Sequence, residues 1–460
     1  MKTHVDASPK FYSTNHGVSA ATFGEALLKG QAADRGLFMP EKYPPLTTEM
    51  LLGLVGKSYP EIAHAVLRPF TAGAIADNLQ HELCIDAYNY EVPLEKVSGR
   101  RALMRLDRGP TASFKDFAAR MMARWMSGLI ANDKQDLVIL TATSGDTGSA
   151  VAHAYYGVKR VHVVVLFPVD EVSARQRKQM TTLGKNITTL AVRGKFDDCQ
   201  AMVKRAFSDP ELAKIRLSSA NSINIGRLLP QTVYYIYAYL RLADVKAKEP
   251  IIFSVPSGNF GDMMGAVMSR KMGLPIQRLV IATNANNEVP TFLATGRYKK
   301  IEPSRECISN AMNVGHPSNL ARLVDAYGGW MTETGEVKKT PDMEAMRRDL
   351  YSVSISDDET RATIRNAYQR NRIILEPHGA VGWAGLEHFV KDNPEAKDLL
   401  TVSVETAHPA KFPEEIKSLI GIDPPVPESL KGIEARAESY DTITTDYGPF
   451  KDFLHSKFAV

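Results

Sequence analysis

Apolar residues at Phe114, Phe117, Ala118, Met121, Met122, Trp125, Met126 and Leu129 recur at the i, i+3, i+4, i+7 spacing of a helix that packs one face on a core. The predicted helix follows the turn Gly109-Pro110-Thr111-Ala112-Ser113 and carries Lys115 at the margin of its apolar stripe. A lysine at such a margin ordinarily lays its stem on apolar surface and puts its ammonium in water. After this helix the pattern alternates. Apolar runs at 136–141, 161–167 and 187–192 read as strands, and amphipathic segments at 149–156, 172–183 and 198–207 read as the helices between them. Residues 218–227 are polar and loop-like, and a tyrosine-rich helix is predicted over 229–242. A second series follows: strand 251–255, helix 262–272, strand 279–283, helix 357–370, strand 373–375, helix 380–390 and strand 399–404. Short strand-like runs alternating with helical ones predict right-handed βαβ units, hence parallel sheets covered by helices on both faces.

The flanking regions read differently. Residues 1–95 predict an N-terminal helical lobe of its own, with short amphipathic segments at 19–28 and 48–55. Residues 96–283 together with 356–410 form the α/β lobes. Residues 284–355, broken by Pro303, Gly315, Pro317, Gly328 and Gly329, read as an irregular insertion, and 411–460 as a proline-bearing surface tail.

Composition narrows the class without naming a chemistry. At 460 residues the chain is long enough for two or three lobes, and 44% hydrophobic with 23% charged residues is ordinary for a globular protein. The formal charge of +4 is spread along the chain, so neither nucleic acid nor a membrane surface is implied as a partner. The longest apolar stretch, 161–169, is interrupted by His162 and Pro168 and is too short to span a bilayer. Cys84, Cys199 and Cys307 lie too far apart for a disulfide framework or a zinc knuckle and suit buried thiols in a reducing compartment. With no apolar signal segment at the N-terminus, a cytoplasmic protein is expected. No feature assigns an oligomeric state.

In an open parallel sheet ligands bind at the carboxyl ends of strands. Three loops in that position are rich in small polar residues. Thr143-Ser144-Gly145-Asp146-Thr147-Gly148 can bind a carboxylate or phosphate at the next helix, or can simply be an N-cap. Ser257-Gly258-Asn259-Phe260-Gly261-Asp262 offers consecutive N–H groups suited to a phosphate, and it is neither a Walker sequence nor the dinucleotide fingerprint. The Asp262 carboxylate would oppose a dianion unless turned to other donors. The third, Glu405-Thr406-Ala407-His408-Pro409-Ala410-Lys411, presents a hydroxyl, an imidazole and an ammonium, or is a surface turn. His408 has no partner at metal-ligand spacing, so no metal site is expected, and Ser144 is not in a nucleophile elbow, which discounts a hydrolase.

Taken in order, residues 109–117, 141–148, 254–262 and 406–412, supported by Ser219-Ala220-Asn221-Ser222-Ile223-Asn224 and Ser309-Asn310-Ala311-Met312, resemble the tryptophan-synthase-β fold group of pyridoxal-phosphate enzymes (fold type II), and within it the threonine synthase family. The resemblance implies that Lys115 forms the Schiff base with pyridoxal phosphate. It implies that Gly258, Asn259, Phe260 and Gly261 hold the cofactor phosphate, with Asp262 adjoining, and that Thr406 faces the pyridine nitrogen. A neutral hydroxyl there does not hold the ring protonated as a carboxylate would, which suits elimination and replacement over transamination. Thr143, Ser144, Gly145, Asp146 and Thr147 would receive the substrate carboxylate, and Asn221, Asn224 and Arg227 the substrate phosphate. Many relatives in the fold group carry Asn where Asp146 stands and donate from it to the cofactor ring oxygen; ionised Asp cannot donate, so that role does not transfer.

The implied reaction turns O-phospho-L-homoserine and water into L-threonine and phosphate by β,γ-elimination and β-addition of water. Two other readings share the scaffold: another fold-type-II lyase such as a serine/threonine dehydratase, which needs no second phosphate site, and a non-catalytic binder of a phosphorylated ligand.

Overall fold

The computed structural model describes residues 9–133, 135–143 and 145–459. Two predominantly parallel sheets organise them. The larger runs in the order Leu350–Ser354, Ile276–Thr283, Ile251–Pro256, Leu400–Glu405, Arg101–Arg105, Leu94–Ser98, parallel throughout except for the final antiparallel pair. The smaller runs Asp441–Ile443, Ile187–Val192, Val161–Pro168, Leu137–Ala142, Leu217–Ser219, all parallel.

The continuous apolar runs follow from burial of both faces. Successive side chains of a strand point to opposite sides. Accordingly Leu137 and Ile139 enter the central core, while Val138, Leu140 and Ala142 enter an outer cluster with Phe450 and Leu454 of the C-terminal helix. Ile251 and Phe253 likewise face the central core, and Ile252 packs outward on Leu386 and Phe389. The helix Lys115–Ile130 lies in the central core, its stripe of Phe117, Met121, Met122, Trp125 and Met126 fully buried.

Several boundaries differ from the sequence reading, each for a tertiary reason. The apolar residues of 9–95 are continuous with the central core. Phe23 meets Trp125 edge-on at 5.1 Å and Tyr59 meets Phe117 at 5.5 Å, so their apolar residues join the central cluster. This region also holds the helices Tyr59–Thr71 and Asp77–Ala87, the first opened by a capping box between Ser58 and Glu61. The expected insertion contributes Leu350–Ser354 as an edge strand, and the expected tail contributes Asp441–Ile443 to the smaller sheet. Residues 373–375, expected as a strand, instead lead into the helix Pro377–Asp392, which Glu376 caps.

Candidate active site

The turn that delivers Lys115 is built to be rigid. Asp116 folds back over it and accepts from the Thr111 amide at 2.8 Å and the Thr111 hydroxyl at 2.7 Å. A Cβ on Gly109 would lie 2.4 Å from Asp116 Oδ2, so only glycine admits this fold-back. The same turn is stitched to the end of the strand Leu400–Glu405: the Phe114 N–H donates to Thr406 O at 2.8 Å and the His408 N–H to Ala112 O at 3.0 Å. Lys115 is thereby fixed at the carboxyl edge of the larger sheet, its side chain only 14% exposed. The solvated lysine suggested by periodicity is not what the fold delivers. Burial pulls its ammonium pKa down; the Asp146 carboxylate 3.9 Å away opposes this, and Lys411 and Arg227 reinforce it.

The glycine loop sits on the neighbouring strand, since Ile251–Pro256 pairs in parallel with Leu400–Glu405. Phe260 takes a left-handed conformation (φ 62°, ψ 14°) ahead of the helix Gly261–Lys271. Among the described residues, the amides of Gly258, Asn259, Phe260 and Gly261 donate to no protein acceptor. Four adjacent unpaired donors at a helix N-terminus fit the phosphate of pyridoxal phosphate. A Cβ on Gly258 would stand 2.9 Å from Met312 Cα and 3.1 Å from Ala311 O, so the loop and the Ala311-Met312 segment are in close contact. Ser318 and Asn319 brace it from outside through Asn259, with Asn319 Nδ2 donating to Asn259 O at 3.0 Å. One oxygen of the Asp262 carboxylate is turned to other donors. Its Oδ1 accepts from the Tyr234 hydroxyl at 2.5 Å and the Tyr235 hydroxyl at 2.6 Å, and burial pushes its carboxyl up to about 6 against those hydrogen bonds.

On the smaller sheet, Thr143 Oγ1 accepts from Gly145 N at 2.9 Å and Gly148 N at 2.8 Å, closing the loop before the helix Asp146–Tyr155. Gly145, at φ 139°, lies where a Cβ would overlap Gln176. Thr147 is half-buried, and Ser144 lies outside the described residues. Asp146 has a partner that its sequence neighbours did not reveal: Lys411 Nζ lies 2.5 Å from Oδ1, and Gln176 Nε2 donates to the same oxygen at 3.0 Å. Burial by itself would raise the Asp146 pKa. Lys411 and Lys115 outweigh that and hold the carboxyl well below its usual range.

The three residues expected around a substrate phosphate are placed differently from one another. Asn221 is half-buried, with Oδ1 unpaired among the described residues. Asn224 is fully buried, and its amide donates to Leu27 O at 2.8 Å and Ser219 O at 3.0 Å while Oδ1 accepts from Gly226 N. Its groups are committed to the backbone, so it braces the loop. Arg227 is 3% exposed, and among the described residues its guanidinium makes one hydrogen bond, from Nη1 to Ala220 O at 2.6 Å. Among the described residues no carboxylate lies within ion-pair distance of it, and burial brings its pKa down to about 10. A buried cation without an anion calls for one.

Residues 92–404 match the family described as pyridoxal-phosphate dependent enzyme, residues 10–88 the threonine synthase N terminus, and residues 379–454 the threonine synthase C-terminal region. The chain is 38% identical over 449 residues to threonine synthase of Haemophilus influenzae, covering 96% of this chain and 99% of that one. The chain belongs to the threonine synthase family. It is a pyridoxal-phosphate dependent lyase of fold type II. The solved PLP-bound threonine synthase from Brucella melitensis superposes with a TM-score of 0.90 at 33% identity, covering 98% of this chain and all of that one. Yeast threonine synthase does so at 0.89 and 29%, covering 99% of each. No helix among the described residues is long and apolar enough to cross a membrane.

Within this threonine synthase fold, the residues that sequence reasoning passed over as site members are Lys411, Gln176, Tyr234, Tyr235 and Glu376. Lys411 stood in a loop already singled out, but nothing local paired it with Asp146, 265 positions away by the numbering of the two residues. Glu376 had a signal: Glu-Pro-His-Gly before an apolar helix is a capping sequence.

Proposed function

We propose that the chain converts O-phospho-L-homoserine and water to L-threonine and phosphate, with Lys115 as the residue that carries the cofactor and moves protons. When bound, pyridoxal phosphate supplies the electron sink for carbanion chemistry beside the substrate amine. Lys115 Nζ, favoured as the neutral amine by burial and by Lys411 and Arg227, would take the α proton and then the β proton. The amides of Gly258, Asn259, Phe260 and Gly261 would anchor the cofactor phosphate, and Thr406 would face the pyridine nitrogen. The loop containing Thr143, Ser144, Gly145, Asp146 and Thr147 would orient the substrate carboxylate.

The observation that carries the choice of a phosphorylated substrate is Arg227, a buried guanidinium near Lys115 with no carboxylate partner among the described residues. A dehydratase needs one phosphate site, the role proposed for the glycine loop; Arg227, with Asn221 in the same loop segment, supports a second. Free thiols at Cys84 and Cys199, both buried, support a cytoplasmic setting. The test offers purified enzyme phosphohomoserine and, separately, threonine. Phosphate released from the first with threonine formed is expected; 2-oxobutyrate from the second, with no phosphate from the first, would replace this reading by a dehydratase. A visible absorbance band after cofactor addition, lost in Lys115→Ala, separates an enzyme from a binder.

A further inference from the structure

The two loops proposed to hold phosphates, residues 219–227 and 257–261, meet through a side chain that the reaction as described does not use. A Cβ on Gly261 would stand 3.4 Å from Ser222 Cβ, so the loops touch. Asn319 spans the seam. Its Nδ2 donates to Ser222 Oγ at 3.1 Å on one loop and to Asn259 O at 3.0 Å on the other. Asn319 is fully buried, so water does not stand in for either bond.

Arg322, three positions on, holds the amide in that orientation. Its Nη1 donates to Asn319 Oδ1 at 2.5 Å. A guanidinium only donates, so the atom it meets is the amide oxygen, and Nδ2 is left to face the loops. The other four guanidinium hydrogens go to backbone carbonyls. Nη1 donates to Ser222 O at 3.1 Å, Nη2 to Ile223 O at 2.7 Å and Phe38 O at 3.1 Å, and Nε to Phe38 O at 3.2 Å. All five donors of this fully buried side chain are therefore occupied. The two buried arginines divide the work. Arg227 has N–H groups left for an anion, and Arg322 has none and serves as a brace.

We propose that Asn319 is a positioning residue that fixes the spacing between the substrate-phosphate loop and the cofactor-phosphate loop, so that a phosphorylated substrate reaches Arg227 and the cofactor together. A ligand held at two ends binds well only when both ends fit at once. A shift between the loops weakens the phosphate end and leaves the carboxylate end, assigned to residues 143–147, as it was. The brace comes from the region that the sequence pattern marked as an irregular insertion, and through Phe38 it also ties in the N-terminal segment. The inference rests on the reading above, in which Asn221 and Arg227 face the substrate phosphate.

The test compares Asn319→Ala with wild type, both saturated with cofactor. KM for phosphohomoserine should rise about 10-fold, the order of one hydrogen bond lost, with kcat changed by less than about 3-fold. L-threonine carries no phosphate, and the midpoint of the visible-band change it causes should stay within about 2-fold of wild type. A loss of packing alone would weaken both ligands alike. Absorbance titration should also show weaker cofactor binding, since Asn259 O loses its side-chain donor. Should Asn319→Ala not fold, Ser222→Ala removes one end of the brace from a half-buried loop and should raise KM without moving the L-threonine midpoint. An unchanged KM in either variant, or equal weakening of phosphohomoserine and L-threonine, overturns the role of Asn319 and leaves the functional reading standing. A wild type that responds to L-threonine but releases no phosphate from phosphohomoserine overturns that reading itself.

Discussion

Lys411 Nζ lies 2.5 Å from Asp146 Oδ1, and neither side chain is more than 3% exposed. The pair settles how an aspartate can occupy this loop: its charge is spent on Lys411, 3.0 Å from Thr111 O on the Lys115-bearing turn. Lys411→Met leaves Asp146 buried with only Lys115 as counter-charge. Removing one member of a buried pair costs about 3–5 kcal/mol, to be read as a lower urea midpoint. Lys115 should also hold its proton to higher pH, so that the pH at which cofactor attachment sets in moves upward. Lys411→Met with Asp146→Asn should recover part of the stability, a coupling that independent sites would not show.

The same pair sets an acid limit. Asp146 has a depressed folded pKa, so its contribution is fully present above the unfolded carboxylate value of about 3.9 and is lost as pH falls below it. Asp146→Asn should therefore lose stability relative to wild type at pH 7, with the gap narrowing only below about pH 4 in denaturant titrations.

Asp262 behaves in the opposite sense. Its folded pKa of about 6 lies above the unfolded value, so the folded state binds the extra proton and wild type loses stability as pH rises from about 4 to about 6. Asp262→Asn, which can still accept from Tyr234 and Tyr235, should flatten this slope. Equal slopes in the two proteins would remove Asp262 as its cause.

Gly258→Ala places a Cβ 2.9 Å from Met312 Cα, a backbone atom that cannot rotate away. The loop must shift by tenths of an ångström, at about 1–3 kcal/mol. Cofactor affinity measured by absorbance titration should fall about 5- to 150-fold, with little change in the melting of the cofactor-free protein.

Gly379→Ala would put its Cβ 1.6 Å from Glu405 Oε2, an atom with no hydrogen-bond partner among the described residues. The variant should lose several kcal/mol in urea unfolding, on the order of a buried network broken. Shortening the opposing side chain in Gly379→Ala with Glu405→Ala should restore part of it, since the three atoms nearest that Cβ all belong to the Glu405 carboxylate.

Much of the local order is legible in the chain. The amphipathic stripe from Phe117 to Met126 and the strand Ile187–Val192 are short-range matters of periodicity, and they fold as they read. Edge strands read less well. Leu350–Ser354 and Asp441–Ile443 are short, and they become strands because a sheet edge offers them hydrogen bonds.

The sequence by itself determined which residue types stand at strand ends and helix starts: Lys115 after a fold-back turn, the amides of Gly258 to Gly261, the hydroxyl of Thr406. Only the tertiary structure decided their state. A lysine's pKa, an aspartate's partner and the bracing of a phosphate loop depend on groups that converge from distant parts of the chain, Asp146 with Lys411 and Asn259 with Asn319. Periodicity reports which face of an element is buried, and it carries no information on which charge lies across the gap once two strand ends meet.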